Sequence, residues 1–293
     1  RPLFLRRPHG LTATLNERLV LDIVRREGII TRAEIARRAK LTPMSISRLV
    51  DELTQRGLLR NAGRLEGSRG QNIGVQIVGE AAYSVGVAVM TDMLSLSIMD
   101  FSGHVVDQIT APLTSAAQDA VINVIGTTLD AMVAANQLDH GKLFGICISL
   151  SGYFTGDGHR VKAPVSLRDW TLVDVEALLN DRLGLPAWLE NDGNAAAVGE
   201  SLFGVGRWAK TFAYLYIARG FGGGVIQSGE QQRGTYGNAG EFAGLLPPGY
   251  DRPTLELLRI MAVEDGMEAA TVSELLERLD PGASCVDAWI ERV

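Results

Sequence analysis

The sequence predicts a mixed α/β protein in two parts: a small helical head closing on a β-hairpin, residues 1–80, and a larger α/β body, residues 81–293. Three observations lead there. Charge is split between the parts: Arg1 to Asn72 holds 15 Lys and Arg against 7 Asp and Glu, leaving 13 against 27 in the rest. Apolar residues recur at helical spacing up to about Leu53, then fall into short strand-like runs and glycine clusters beyond Glu80. Finally, 293 residues at 46% apolar content suffice to bury the cores of two or three domains.

Several classes are excluded at once. Apolar runs such as Tyr83 to Val89 are too short to span a bilayer, and no signal-peptide core follows Arg1. Cys147 and Cys285 alone imply no disulfide framework and fit a reducing cytoplasm. His9, His104, His140 and His159 share no ligand spacing with either Cys, so no metal and no cofactor is expected.

In the head, Leu15, Leu19, Ile23 and Val24 form an apolar stripe that Gly28 ends. Thr31 has the chemistry of an N-cap, with Glu34 three residues on to complete a capping box. Thr42 caps a third helix, Pro43 suits its first turn, and Ile46, Leu49, Val50 and Leu53 give it an inner face. Only Lys40 and Leu41 separate the second and third helices, which predicts a helix-turn-helix. Its third helix then faces a DNA major groove, with Thr42 at its start and Met44, Ser45, Ser47 and Arg48 as reading candidates. Leu58 to Arg60 and Ile73 to Val78 read as strands flanking a loop with Gly63, Arg64, Gly67, Ser68, Arg69 and Gly70. That is a wing, offering Arg64 and Arg69 to the DNA backbone or minor groove. The competing reading is a small helical bundle that binds protein.

The body begins with an expected hairpin, Tyr83–Val89 and Leu94–Asp100, and a third strand after His104. A helix over 116–136, a strand over 143–150 ending at Ser151-Gly152, and a helix over 173–182 follow. A short strand at 186–189 runs into Glu190-Asn191-Asp192, and a helix is expected over 194–203. A strand at 211–218 leads to Gly220-Phe221-Gly222-Gly223-Gly224 and a further strand.

The order of wing, Glu190-Asn191-Asp192-Gly193-Asn194, glycine loop and Gly237-Asn238-Ala239-Gly240-Glu241-Phe242 resembles the ROK family of repressors, open reading frames and sugar kinases. The resemblance runs from about Asn16 to about Leu258. It implies an actin-like, hexokinase-like fold whose two lobes hold a sugar, with Asn191, Asp192, Glu241 and Glu256 matching the sugar contacts. Carboxylates and amides suit that task because each binds paired hydroxyls. Trp170 is either a stacking platform for the sugar or a core residue.

The same resemblance implies that kinase chemistry is absent. Ala88 stands where the kinases carry an Asp, Met90 where glycine allows close approach, and Asp92 where a hydroxyl faces phosphate. Arg219 replaces a small hydroxyl residue in the second phosphate loop. Asp192 matches the catalytic base but lacks a phosphoryl donor. Ala243 replaces the His of a structural zinc site, and Pro248 to Thr254 offers no Cys. Val165 replaces an Asn usual after Ala-Pro, and the stretch after 279 is shorter than the family's, implying a reduced or truncated second lobe.

The expectation is a cytoplasmic, sugar-responsive repressor, a homodimer or homotetramer with no membrane partner. It binds a palindromic operator through the head and a sugar or sugar phosphate in the body. The alternatives are an active ROK kinase with a DNA-binding appendage, and a regulator answering to a protein partner.

Overall fold

The computed structural model describes residues 13–64, 73–90, 93–113, 115–156, 159–247 and 251–293. Arg69 and the rest of the expected wing tip lie outside the described residues, as do Thr91, Asp92 and Pro248; Arg64 is described in its backbone only. The chain divides into two compact units, one reaching Ser149 and including Asp174–Leu189, the other comprising Leu150–Val173 and Glu190–Val293.

The first unit opens with α1 (Leu15–Glu27), β1 (Ile30–Thr31), α2 (Arg32–Ala39), α3 (Pro43–Gln55), β2 (Leu59–Arg64) and β3 (Ile73–Ile77). The three strands form an antiparallel sheet ordered β1-β3-β2, in which Ile30 faces Val75 and Leu59 faces Ile77. The helix-turn-helix and its hairpin are therefore present, with a third strand that the sequence did not announce.

Details of the caps differ from expectation. The complete capping box belongs to α1: Thr14 Oγ1 accepts from the Glu17 amide at 3.3 Å, and the Glu17 carboxylate accepts from the Thr14 amide at 2.6 Å. At α2 the box is half formed. Thr31 Oγ1 takes the Glu34 amide at 3.2 Å, while the Glu34 carboxylate is held by Arg37 and Arg38. Those guanidiniums hold the Glu34 carboxyl down at about 2.

The inner face of α1 is also rotated from the expected stripe. Val20 and Val24 are buried, whereas Leu15 is 80% exposed and Leu19 39%. The reason is Glu17, fully buried with its carboxylate 3.0 Å from Arg56 at the end of α3. That ion pair fixes which side of α1 turns inward.

The head core, built around Ile35, Ile46, Val50, Leu53 and Leu58, does not stop at residue 80. It continues into buried Ala81 and Ala82, and Phe101 and Phe144 pack against it. The Phe101 amide donates to Gly79 O at 2.9 Å, and Lys142 Nζ to Glu80 O at 2.8 Å.

Beyond the head come β4 (Tyr83–Val89), β5 (Met93–Asp100), β6 (Val105–Pro112), α4 (Gln118–Ala135) and β7 (Leu143–Leu150). The small hairpin β8 (Tyr153–Thr155) and β9 (Arg160–Lys162) follows, then α5 (Val175–Leu183) and β10 (Ala187–Asn191). A five-stranded sheet is ordered β10-β7-β4-β5-β6. Alternation with period two puts Val85, Val87 and Val89 opposite Ile98, Leu96 and Leu94, all buried. On α4, Val121, Ile122, Ile125, Leu129 and Met132 are buried with them, at helical spacing.

The second unit contains β8, β9, α6 (Asp192–Phe203) and a sheet ordered β11-β12-β13, from β11 (Phe212–Ile217), β12 (Phe221–Gln227) and β13 (Glu230–Gln232). Three helices complete it, α7 (Leu255–Glu264), α8 (Val272–Arg278) and α9 (Ser284–Arg292), around Leu258, Ala262, Leu275 and Cys285. Trp170 is fully buried, so it is a core residue and no stacking platform.

The expected glycine loop is corrected here. Gly222, Gly223 and Gly224 lie within β12, paired with Tyr216, Leu215 and Tyr214 of β11, and only Gly220 is at the turn. The glycines admit α6: a Cβ on Gly193 would sit 2.8 Å from the Gly223 backbone nitrogen and oxygen, and one on Gly224 2.6 Å from the Ala197 methyl.

Among the described residues, no helix is long and apolar enough to cross a membrane, and no group of three or more His, Cys, Asp or Glu is placed to hold a metal ion.

Candidate functional site

Two groups of residues carry chemistry, one in each unit. In the first, α3 begins at Thr42, whose Oγ1 accepts from the Ser45 amide at 3.2 Å and donates to Ser45 Oγ at 2.9 Å. The Thr42 hydroxyl, expected to read DNA, is thus engaged in the cap, and Ser45 Oγ accepts from it. Ser47 is half-buried, and its carbonyl accepts from Arg32 at 3.4 Å. Met44 and Arg48, one turn apart on the outer face, are exposed. Asp51, one turn beyond Arg48, is held by Arg32 at 2.7 Å.

In the second unit, three segments are sewn together around the first turn of α6. Asn191 is its N-cap: Oδ1 accepts from the Asn194 amide at 3.1 Å, and Nδ2 donates to Gly152 O at 2.7 Å and to Glu241 Oε1 at 3.3 Å. Asp192 accepts from Ser151 Oγ at 2.6 Å and from the Gly193 amide at 2.9 Å. Gly152 has φ +136°, and a Cβ there would strike Lys162 O at 2.6 Å, so glycine is required beside the site.

A buried support lies behind. Glu190 accepts from the Asn191 amide at 3.0 Å, Asn194 Nδ2 at 3.3 Å, Gln231 Nε2 at 3.2 Å and Arg233 at 3.2 Å. The Arg233 guanidinium also lies over the Phe154 ring, 5.5 Å from its centroid. Asn238 clamps the backbone of Phe154, accepting from its amide at 2.7 Å and donating to its carbonyl at 2.8 Å.

The electrostatics of this cluster are poised. Burial, and behind it the charge of Asp192, holds the Glu241 carboxyl above the usual carboxylate range. Burial, then Asp192 and Tyr214, raises the Tyr216 phenol likewise. Two carboxylates held at a half-buried site by amide and hydroxyl donors have the chemistry to receive polyhydroxylic groups, which donate to carboxylates and accept from amides.

The structure brings Asn191, Asp192 and Glu241 together. Glu256, at the start of α7, lies 2.7 Å from Arg259 and 3.7 Å from Arg219, and the Arg259 hydrogen bond lowers its carboxyl. Sequence reasoning missed Ser151, Glu190, Arg233, Asn238 and Tyr216 as members. The signal for Ser151 was there, as a Ser-Gly step closing an apolar strand.

The ROK family profile matches residues 85–248, and the MarR family profile matches residues 9–66. The xylose repressor of Bacillus subtilis is 25% identical over 78% of this chain and 59% of its own length. The DNA-binding transcriptional dual regulator NagC of Escherichia coli is 24% identical over 79% of this chain and 57% of its own. This chain thus spans less than two thirds of either relative. Among solved structures, a ROK family transcriptional regulator described as a homologue of the E. coli MLC protein superposes with a TM-score of 0.64 at 22% identity. It covers 88% of this chain and 70% of that one, a likeness of fold. With that family's profile spanning more than half of its length, the chain belongs to the ROK family.

Proposed function

We propose that the chain is a sugar-responsive transcription regulator, a repressor, acting in the cytoplasm as a homodimer or homotetramer. Residues 1–80 serve as the DNA-binding domain and residues 81–293 as the effector domain. The cluster of Asn191, Asp192 and Glu241 takes a sugar or sugar phosphate, and its occupancy changes operator affinity. The observation that carries this reading is the coexistence, in one chain, of a capped helix presenting exposed Met44 and Arg48 and a half-buried carboxylate–amide cluster. Arg64 and Arg69 complete the DNA contact from the wing. Glu256 is the fourth sugar contact, held by Arg259 and Arg219.

Phosphoryl transfer is not part of the proposal. It needs charge-neutralising groups around a nucleotide's phosphates. On β4, Ala88 offers none, and the strand-bound glycines of β12 are taken up by α6. A ligand alters operator affinity only by binding two states differently. The test is operator-fragment anisotropy at fixed salt against a panel of sugars and sugar phosphates, beside an ADP-release assay. A shift in affinity with one sugar, abolished by Asn191→Ala, is expected. Turnover abolished by Asp192→Asn, or duplex affinity indifferent to every sugar, refutes the proposal.

A further inference from the structure

We infer that Met44 and Arg48 divide the base reading between them, Met44 covering a thymine methyl and Arg48 a guanine edge within two base pairs of it. The inference rests on α3 being the DNA-reading helix and adds what it reads.

The argument is one of elimination along α3. Thr42 spends its hydroxyl on the cap and on Ser45 Oγ, and Ser45 and Ser47 are both half-buried, leaving Met44 and Arg48 as the most open side chains of the candidates. Met44 is 83% exposed, an apolar side chain from which the fold draws little. Its flexible, polarisable thioether can follow the surface of a methyl group. The C5-methyl of thymine is the apolar feature of the major groove.

Arg48 is kept available by its neighbours. Asp51, one turn on, would be its helical partner, but Arg32 holds that carboxylate at 2.7 Å. Among the described residues Arg48 has neither an ion pair nor a hydrogen bond. A guanidinium with its donors open forms a bidentate pair with guanine O6 and N7. Four residues of helix advance about 6 Å, and successive bases of a strand step about 3.4 Å. The two side chains therefore reach bases no more than two steps apart.

The test uses the full chain and a duplex selected from a random-sequence pool. Each thymine is replaced singly by uracil, which lacks only the methyl. One position is expected to weaken binding about fourfold, the worth of one buried methyl-sized group. Met44→Ala should weaken the parent duplex similarly and abolish the sensitivity to uracil there. Arg48→Ala should relax selection at a guanine one or two pairs away, by roughly 5- to 150-fold. Because both residues are exposed, circular dichroism should be unchanged in either variant. Binding indifferent to uracil at every thymine, or sensitivity that survives Met44→Ala, overturns the inference alone. Failure to bind any duplex at low salt overturns the reading of α3 and the inference with it.

Discussion

Asn238→Ala is the substitution whose consequence can be worked most directly. Phe154 pairs with Val161 across the β8–β9 hairpin, and both of its backbone groups bond to the Asn238 side chain, at 2.7 and 2.8 Å. It is thus the non-hydrogen-bonded pair of the hairpin, with amide and carbonyl directed away from β9. Phe154 is 2% exposed, so the alanine leaves two nearly buried backbone groups without their partner. At about 1–3 kcal/mol for each such group, and with water able to reach this partly buried edge, the loss is about 2–4 kcal/mol. A chain of two units has no single unfolding free energy, so the effect should be read locally. Hydrogen exchange at the Phe154 amide is the assay, and protection should fall roughly 30- to 1000-fold at 1.4 kcal/mol per decade. Asn238→Asp keeps an acceptor and loses the donor, so it should recover part of the protection. The hairpin carries Ser151 and Gly152 at its root, and sugar affinity should fall with it. An intact fold whose Phe154 amide loses less than threefold protection would refute the reasoning.

Other expectations follow from the same geometry. Glu241→Gln should stabilise the ligand-free protein at neutral pH while weakening sugar binding. The Glu241 carboxyl is raised in the fold, so its ionised form opposes folding as pH rises through that value. The thermal-shift gain should vanish below the ordinary carboxylate pKa. Gly193→Ala forces a methyl to within 2.8 Å of the Gly223 backbone and should cost about 1–3 kcal/mol, seen as a lower melting temperature for the second unit. Arg56→Ala removes the cation at 3.0 Å from fully buried Glu17 and should cost about 3 kcal/mol in urea unfolding of the head, with Glu17→Gln recovering part in the double variant.

How much was legible depended on whether the deciding partner lay near in sequence. Helix α3 was readable because its cap, its proline and its apolar face all lie within Thr42 to Leu53, and each signal is local. Helix α1 was misjudged because the choice of inner face was made by Arg56, 39 residues beyond Glu17, a pairing no periodicity reveals. The glycines of 222–224 read as a loop because their reason, the close approach of α6, is a contact between distant backbones. Strands β8 and β9 and helix α9 went unseen, the strands because three residues each carry too little pattern to stand out. In the site, Asn191, Asp192 and Glu241 were found through their motifs and do meet. Glu256 carried an equally plausible motif but is drawn to Arg259 three residues on. Ser151 and Asn238 were passed over because a Ser-Gly step or an Asn in a turn is chemically silent until its partner segment is placed beside it.

The continuity of the head core into Ala81 and Ala82, 6% and 3% exposed, has a mechanical meaning. There is no extended tether at that point on which the head could swivel: beside exposed Glu80 the chain turns straight into buried Ala81 and Ala82. A shortened chain ending at residue 80 would lose Phe101 and Phe144 from its apolar floor and should aggregate. A displacement of the five-stranded sheet is therefore expected to carry α3 with it, through the apolar floor that Phe101 and Phe144 share with the head.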